Sequence, residues 1–126
     1  MASPCSSSVV LAADQPEALA LFYGALLEQA PQRGFSDRHW QLSLPGGGLL
    51  EIYGPSRARP LPRQRGGLAL CLRSEGGAER LERWLALALK AGAALLEPAR
   101  HEPFGDEAWL EDPEGNALLL LCISAP

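Results

Sequence analysis

A carboxylate and two imidazoles are the groups in this chain best suited to hold a cation or move a proton: Glu51, and the chain's two histidines, His39 and His101. Glu51 lies in the run Leu49-Leu50-Glu51-Ile52-Tyr53, whose alternation reads as a strand with Leu49, Glu51 and Tyr53 on one face and Leu50 and Ile52 on the other. A carboxylate facing a partly apolar cavity either pairs with a cation or has its pKa raised, and both outcomes serve binding or proton transfer. The competing reading is a rim carboxylate satisfied by an arginine such as Arg73, or by water. His39 opens a middle strand and His101 lies in an irregular approach to the last hairpin. Trp40 and Trp109 sit on hairpin strands, where a ring facing a cleft would be a flat apolar platform for a small molecule. Trp84 belongs to a helix and is expected to pack against a sheet.

Other arrangements carry less. Gly46-Gly47-Gly48 has the look of a phosphate cradle, but neither a helix N-terminus nor a lysine follows it, so it reads as a hairpin turn. Three cysteines, Cys5, Cys71 and Cys122, show no C-x-x-C spacing and no even framework, and read as reduced thiols in a cytoplasmic protein. Cys71 and Cys122 fall in apolar runs, where packing is their expected role. A formal charge of -4 and a pI near 5.1 argue against a nucleic-acid footprint and favour neutral or cationic ligands. The N-terminal residues lack the basic and apolar regions of a signal peptide, and the apolar run at Leu118 to Ile123 is too short to span a bilayer. A membrane role is therefore not expected.

The elements that must position these groups can be read in order. The length of 126 residues and 47% hydrophobic content fit one compact domain. Ser8 to Ala13 is β-prone, and Asp14 as N-cap, Pro16 in the first turn and Glu17 at the dipole's positive end start a helix. Leu19, Phe22, Tyr23, Leu26 and Leu27 give it one apolar face, and Pro31 ends it. An edge strand near Arg33 to Asp37, a strand from His39 to Leu44 and a strand from Leu49 to Tyr53 follow. The Pro- and Arg-rich stretch from 55 to 66 reads as a linker, its arginines a solvated connection rather than an anion clamp. After it come a strand at Gly67 to Arg73, a helix at Ala78 to Ala91 closed by Gly92, and strands from Leu95, Glu107 and Ala117. The last two flank Asp112-Pro113-Glu114-Gly115-Asn116, a turn whose Asx side chains, proline and glycine each suit their positions. The organisation is β-α-β-β-β twice, module 1 over 7–54 and module 2 over 67–125. An offset of 68 places Pro45 on Pro113, Gly47 on Gly115 and Glu51 on Leu119, while the first strands need an offset of about 59.

Phe22-Tyr23-x-x-Leu26-Leu27, Leu50-Glu51-Ile52-Tyr53, and Pro103-Phe104-Gly105 leading to Asp112-Pro113-Glu114-Gly115-Asn116 resemble the vicinal oxygen chelate superfamily, which includes glyoxalase I, bleomycin resistance proteins and extradiol dioxygenases. The resemblance covers nearly the whole chain. It implies an α+β fold of two βαβββ modules, whose curled mixed sheets enclose a cleft that a homodimer often completes. Enzymatic members hold one divalent metal on side chains from the first and fourth strands of each module. In this chain those positions fall near Ser8 and at Glu51 in the first module, and near Gly67 and at Leu119 in the second. One carboxylate does not make a metal site, since catalytic divalent sites take about three protein ligands. Neither histidine occupies a family ligand position.

Three readings of function follow. The leading one is a metal-free protein that binds a small organic molecule in a cleft through Glu51, Tyr53, Trp40, Trp109, His39 and Arg73, without a cofactor. The alternative is a glyoxalase- or dioxygenase-type enzyme, with a divalent metal on substituted ligands such as Glu51, His39 and His101, or with Glu51 as an acid–base residue. A third is a dimeric scaffold whose cleft is filled by its own side chains. A homodimer is expected in each case.

Overall fold

The computed structural model describes residues 6–58, 60 and 68–124, and the chain divides into two compact units, residues 1–63 and 64–126. Both are mixed α+β, each a curled sheet with one long helix.

In the first unit, β1 (Ser8–Ala12) leads to α1 (Pro16–Leu27), then β2 (Gln32–Arg33), β3 (His39–Ser43) and β4 (Leu49–Tyr53). The sheet order is β1-β4-β3-β2, with β1 parallel to β4 and the other pairs antiparallel. Register fixes the faces. Trp40, Leu42, Leu50 and Ile52 share one face with the buried side of α1, where Leu19, Phe22, Tyr23 and Leu26 are inaccessible or nearly so. Burying each of Leu42, Leu50 and Ile52 contributes about 1.5–3 kcal/mol. The other face carries Ser8, Val10, His39, Gln41, Leu49, Glu51 and Tyr53.

The ends of α1 differ from expectation. Gln15, not Asp14, is the N-cap, and its side chain makes no capping bond; Pro16 at the helix start and Glu17 carry that end. The helix stops at Glu28, three residues before Pro31, because Glu28 adopts φ 54 and the Gln29 N–H turns back to the Gly24 carbonyl. A Cβ on Gly24 would lie 2.6 Å from the Gln29 carbonyl oxygen, so glycine is what lets the chain fold back there. The expected edge strand at 33–37 is only Gln32–Arg33, since the next residues form a tight loop around His39. The Gln29 side-chain amide extends that edge, donating to the Ser43 carbonyl and accepting from its N–H, both at 2.8 Å.

The second unit repeats the plan with an interruption. β5 (Leu70–Glu75) precedes α2 (Gly77–Lys90), and β6 (Ala94–Leu95), β7 (Arg100–Glu102), β8 (Gly105–Glu111) and β9 (Ala117–Ile123) follow. The order is β5-β9-β8, with both β6 and β7 antiparallel to β8, so the expected single edge strand is split and β7 was not foreseen. As expected, Gly92 ends α2: it takes φ 118, and the Ala93 and Gly92 N–H groups return to the Ala88 and Leu89 carbonyls. In the β8–β9 turn the buried Asp112 carboxylate accepts the N–H groups of Glu114 and Asn116 at 2.9 Å each, and Gly115 takes φ 86. Cys122 is buried as expected, whereas Cys71 is exposed, on the sheet face away from α2. Most of the expected linker, including Arg59, Arg63 and Arg65, lies outside the described residues. Among those described, no helix is long and apolar enough to cross a membrane.

Candidate functional site

The open face of the first sheet gathers three polar side chains around one carboxylate. Register sets Glu51 on β4 between Val10 of β1 and Gln41 of β3, with Ser8 and His39 one pair away to either side. The Ser8 hydroxyl donates to Glu51 Oε2 at 2.6 Å, Gln41 Nε2 donates to Oε1 at 3.3 Å, and His39 Nε2 lies 3.1 Å from Oε1. These bonds, the Ser8 hydroxyl's foremost, hold the Glu51 carboxyl below its ordinary range against the opposing effect of burial. Glu51 is thus an anion set in a ring of donors.

His39 is the most elaborately held of the three. The Phe35 backbone N–H donates to His39 Nδ1 at 2.8 Å, which leaves the ring proton on Nε2, where it points at Glu51. Phe35 also lays its ring on the imidazole, centroids 5.4 Å apart and planes within 15°, while remaining 94% exposed. Gly34 makes room, since a Cβ there would collide with Nδ1 and stand 2.7 Å from Cγ of the ring. The backbone bonds from Gly34 N–H to the His39 carbonyl, 2.7 Å, and from His39 N–H to the Ser36 carbonyl, 3.2 Å, close the loop. Both ring nitrogens are committed within the protein, so His39 positions the carboxylate and is not a free base.

The sequence-expected residues distribute unevenly. Glu51, Tyr53 and His39 share the open face, with Val10 and Leu49 beside them 44% and 37% exposed. Trp40 does not join them: alternation turns it to the helix side of the sheet, with Arg33 5.3 Å from its ring and its Nε1 buried without a partner. Arg73 is an exposed residue of β5 in the second unit, while Ser8, His39 and Gln41 of the first unit hold Glu51. Trp109 lies on β8 opposite Leu119, on the face that also holds Cys71, Glu107 and Leu121. His101 pairs with Asp106 at 3.0 Å in the second unit and is exposed. Ser8, Gln41, Gly34 and Phe35 complete the Glu51 cluster. Period-two alternation carries a signal for Gln41, two residues from His39, that the sequence reading passed over, while a loop contact such as Phe35's leaves no periodic trace.

The second sheet clarifies the metal question. Cys71 pairs with Leu119 as Val10 pairs with Glu51, so the first strands are offset by 61 rather than about 59, and the residue matching Ser8 is Ala69, not Gly67. The four positions at which the resemblance places metal ligands thus carry a hydroxyl and a carboxylate in the first unit and a methyl and an isobutyl group in the second. Around the carboxylate, the imidazole and amide nitrogens present hydrogens rather than lone pairs. Among the described residues, no group of three or more His, Cys, Asp or Glu side chains is placed to hold a metal ion. The residues present do not fit the family's metal.

The sequence pattern of the glyoxalase-like domain family matches residues 8–121. No curated protein matches the sequence. Among solved structures, a glyoxalase/bleomycin resistance protein from Albidiferax ferrireducens T118 is similar at 23% identity and TM-score 0.74, over 95% of this chain and 98% of that one. A glyoxalase/bleomycin resistance protein/dioxygenase family enzyme from Burkholderia phytofirmans PsJN aligns at 20% identity and TM-score 0.72, over 93% and 97%. Lactoylglutathione lyase from Agrobacterium tumefaciens aligns at 17% identity and TM-score 0.66, over 95% and 94%. At these identities the likeness is one of fold.

Proposed function

Because this chain belongs to the glyoxalase-like domain family of the vicinal oxygen chelate superfamily, we propose that it binds a small organic molecule without a metal, on the open face of the first sheet around Glu51. The observation that carries this reading is the state of Glu51: ionised, held by Ser8, Gln41 and His39, and still partly exposed at 21%. A carboxylate has about four lone-pair directions, and three donors leave room for one more. Exposed Val10 and Leu49, with Tyr53, supply the apolar contact and phenol expected of a small-molecule site. Metal analysis of the purified protein tests the reading. The expected result is no stoichiometric metal; one nickel, zinc, iron or manganese ion per chain, lost in Glu51→Gln, would overturn it.

A second reading, an enzyme of the glyoxalase type, draws on the His39–Glu51 pair and on relatives described as enzymes. Against it, a carboxyl group shifted downward is a poor proton donor near neutral pH, and His39 has no free nitrogen. Turnover of vicinal-oxygen substrates that is abolished by Glu51→Gln would favour this reading over ours. We further propose a homodimer in a reducing, cytoplasmic setting, a reading that accords with free Cys71 and Cys122 and with apolar surface at Leu21, Leu89 and Leu95. Light scattering coupled to size exclusion checks the stoichiometry.

A further inference from the structure

We infer that the ligand of this face carries a protonated nitrogen, an organic ammonium or amidinium attached to a small apolar body, which takes the open lone pair of Glu51. The inference rests on the reading of this face as an organic-ligand site and adds the ligand's charge. The first reason is electrostatic. Glu51 is held by a hydroxyl, a carboxamide and an imidazole whose Nδ1 accepts the Phe35 N–H, none of them a permanently charged group. Among the described residues, no lysine or arginine pairs with Glu51. The nearby arginines of the same unit are engaged elsewhere, Arg33 over Trp40 beneath the sheet and Arg38 toward the Asp14 carbonyl. Among the described residues the carboxylate therefore has no permanent cation as partner, and its donors are organised in advance.

The second reason is geometric. A cationic donor gains the Coulomb attraction of opposite charges on top of the hydrogen bond that a neutral donor also makes to a carboxylate, so the open lone pair discriminates in favour of a cation. An anion would meet like charge, and the formal charge of -4 on the chain adds to that bias. Exposed Val10 and Leu49 flank the carboxylate on the same face and ask for an apolar group beside the nitrogen. A hydrated inorganic cation would gain little here, since the imidazole and amide nitrogens turn hydrogens toward the site.

Three probes built on one phenyl ring separate the possibilities: benzylammonium, its near-isostere benzyl alcohol, and the anion benzoate, titrated into the full chain and followed by amide chemical shifts. Benzylammonium is expected to bind at least about tenfold more tightly than benzyl alcohol, to shift residues of β1, β3 and β4, and to weaken as salt is raised from about 0.02 to 0.5 M. Glu51→Gln, which preserves shape, should remove the preference for the amine over the alcohol. The salt series on the unmodified protein stands in if that variant folds poorly. Equal binding of amine and alcohol, or preference for benzoate, on the β1, β3 and β4 face would overturn the charge assignment and leave the organic-ligand reading intact. No response of that face to any probe would overturn both.

Discussion

Replacing Gly34 by alanine should unseat His39 without touching it directly. The new Cβ would collide with the imidazole, so the ring must leave the position in which it accepts from Phe35 N–H at 2.8 Å and meets Glu51 at 3.1 Å. The first bond is neutral and contributes about 1 kcal/mol; the second, to a charged and partly exposed group, contributes about 1.5 kcal/mol. Alanine returns about 0.4–1 kcal/mol by restricting the unfolded chain. The net loss is about 2 kcal/mol, which in urea moves the midpoint by about 1 M for a chain of this size. The decisive comparison is a double-mutant cycle. In a His39→Ala background there is no ring to displace, so Gly34→Ala should cost nothing and stabilise slightly through the unfolded state. An equal loss in both backgrounds would refute the reasoning, because the glycine would then be required by the loop itself.

The remaining predictions use other parts of the molecule. Glu51 has a lowered folded pKa, so its contribution to stability is present above its unfolded pKa and is lost as pH falls through the folded value. Stability measured from pH 7 to pH 2 should fall below about pH 4.3 more steeply in the natural chain than in Glu51→Gln. Gly105→Ala should destabilise by more than about 2 kcal/mol in urea, since Gly105 holds φ 150 and a Cβ would collide with the Cys122 carbonyl and lie 2.9 Å from the Ile123 Cα. Asp112→Ala should cost about 1–3 kcal/mol by leaving the turn N–H groups of Glu114 and Asn116 without their acceptor, read from thermal melts.

The fold was legible because its signals are local and repeated. Apolar spacing marked both helices, the Asx, proline and glycine chemistry of the Asp112 turn marked the last hairpin, and the offset of 68 related the hairpins of the two units. Ends were less legible. Asp14 has the chemistry of an N-cap, yet Gln15 occupies the position, and Glu28 ends α1 by entering the left-handed region before Pro31 can act. Of the site, period two put Glu51 and Tyr53 on one face and, through pairing, His39 with them. The same alternation sends Trp40 to the helix side, a consequence that could be drawn only once the register with Ile52 was known. Gly34 and Phe35 were invisible because their part depends on the shape of a loop.

The state of Glu51 is the point on which the proposed binding and charge preference depend, and the point that separates them from the alternative of acid–base chemistry. The side-chain carboxyl carbon resonance of Glu51, followed from pH 2 to 8, tests it most directly. A midpoint below the ordinary glutamate value of about 4.3, moving upward in Ser8→Ala, is the expected result. A midpoint above that value, unmoved by Ser8→Ala, would contradict the ring of donors and favour Glu51 as an acid–base residue.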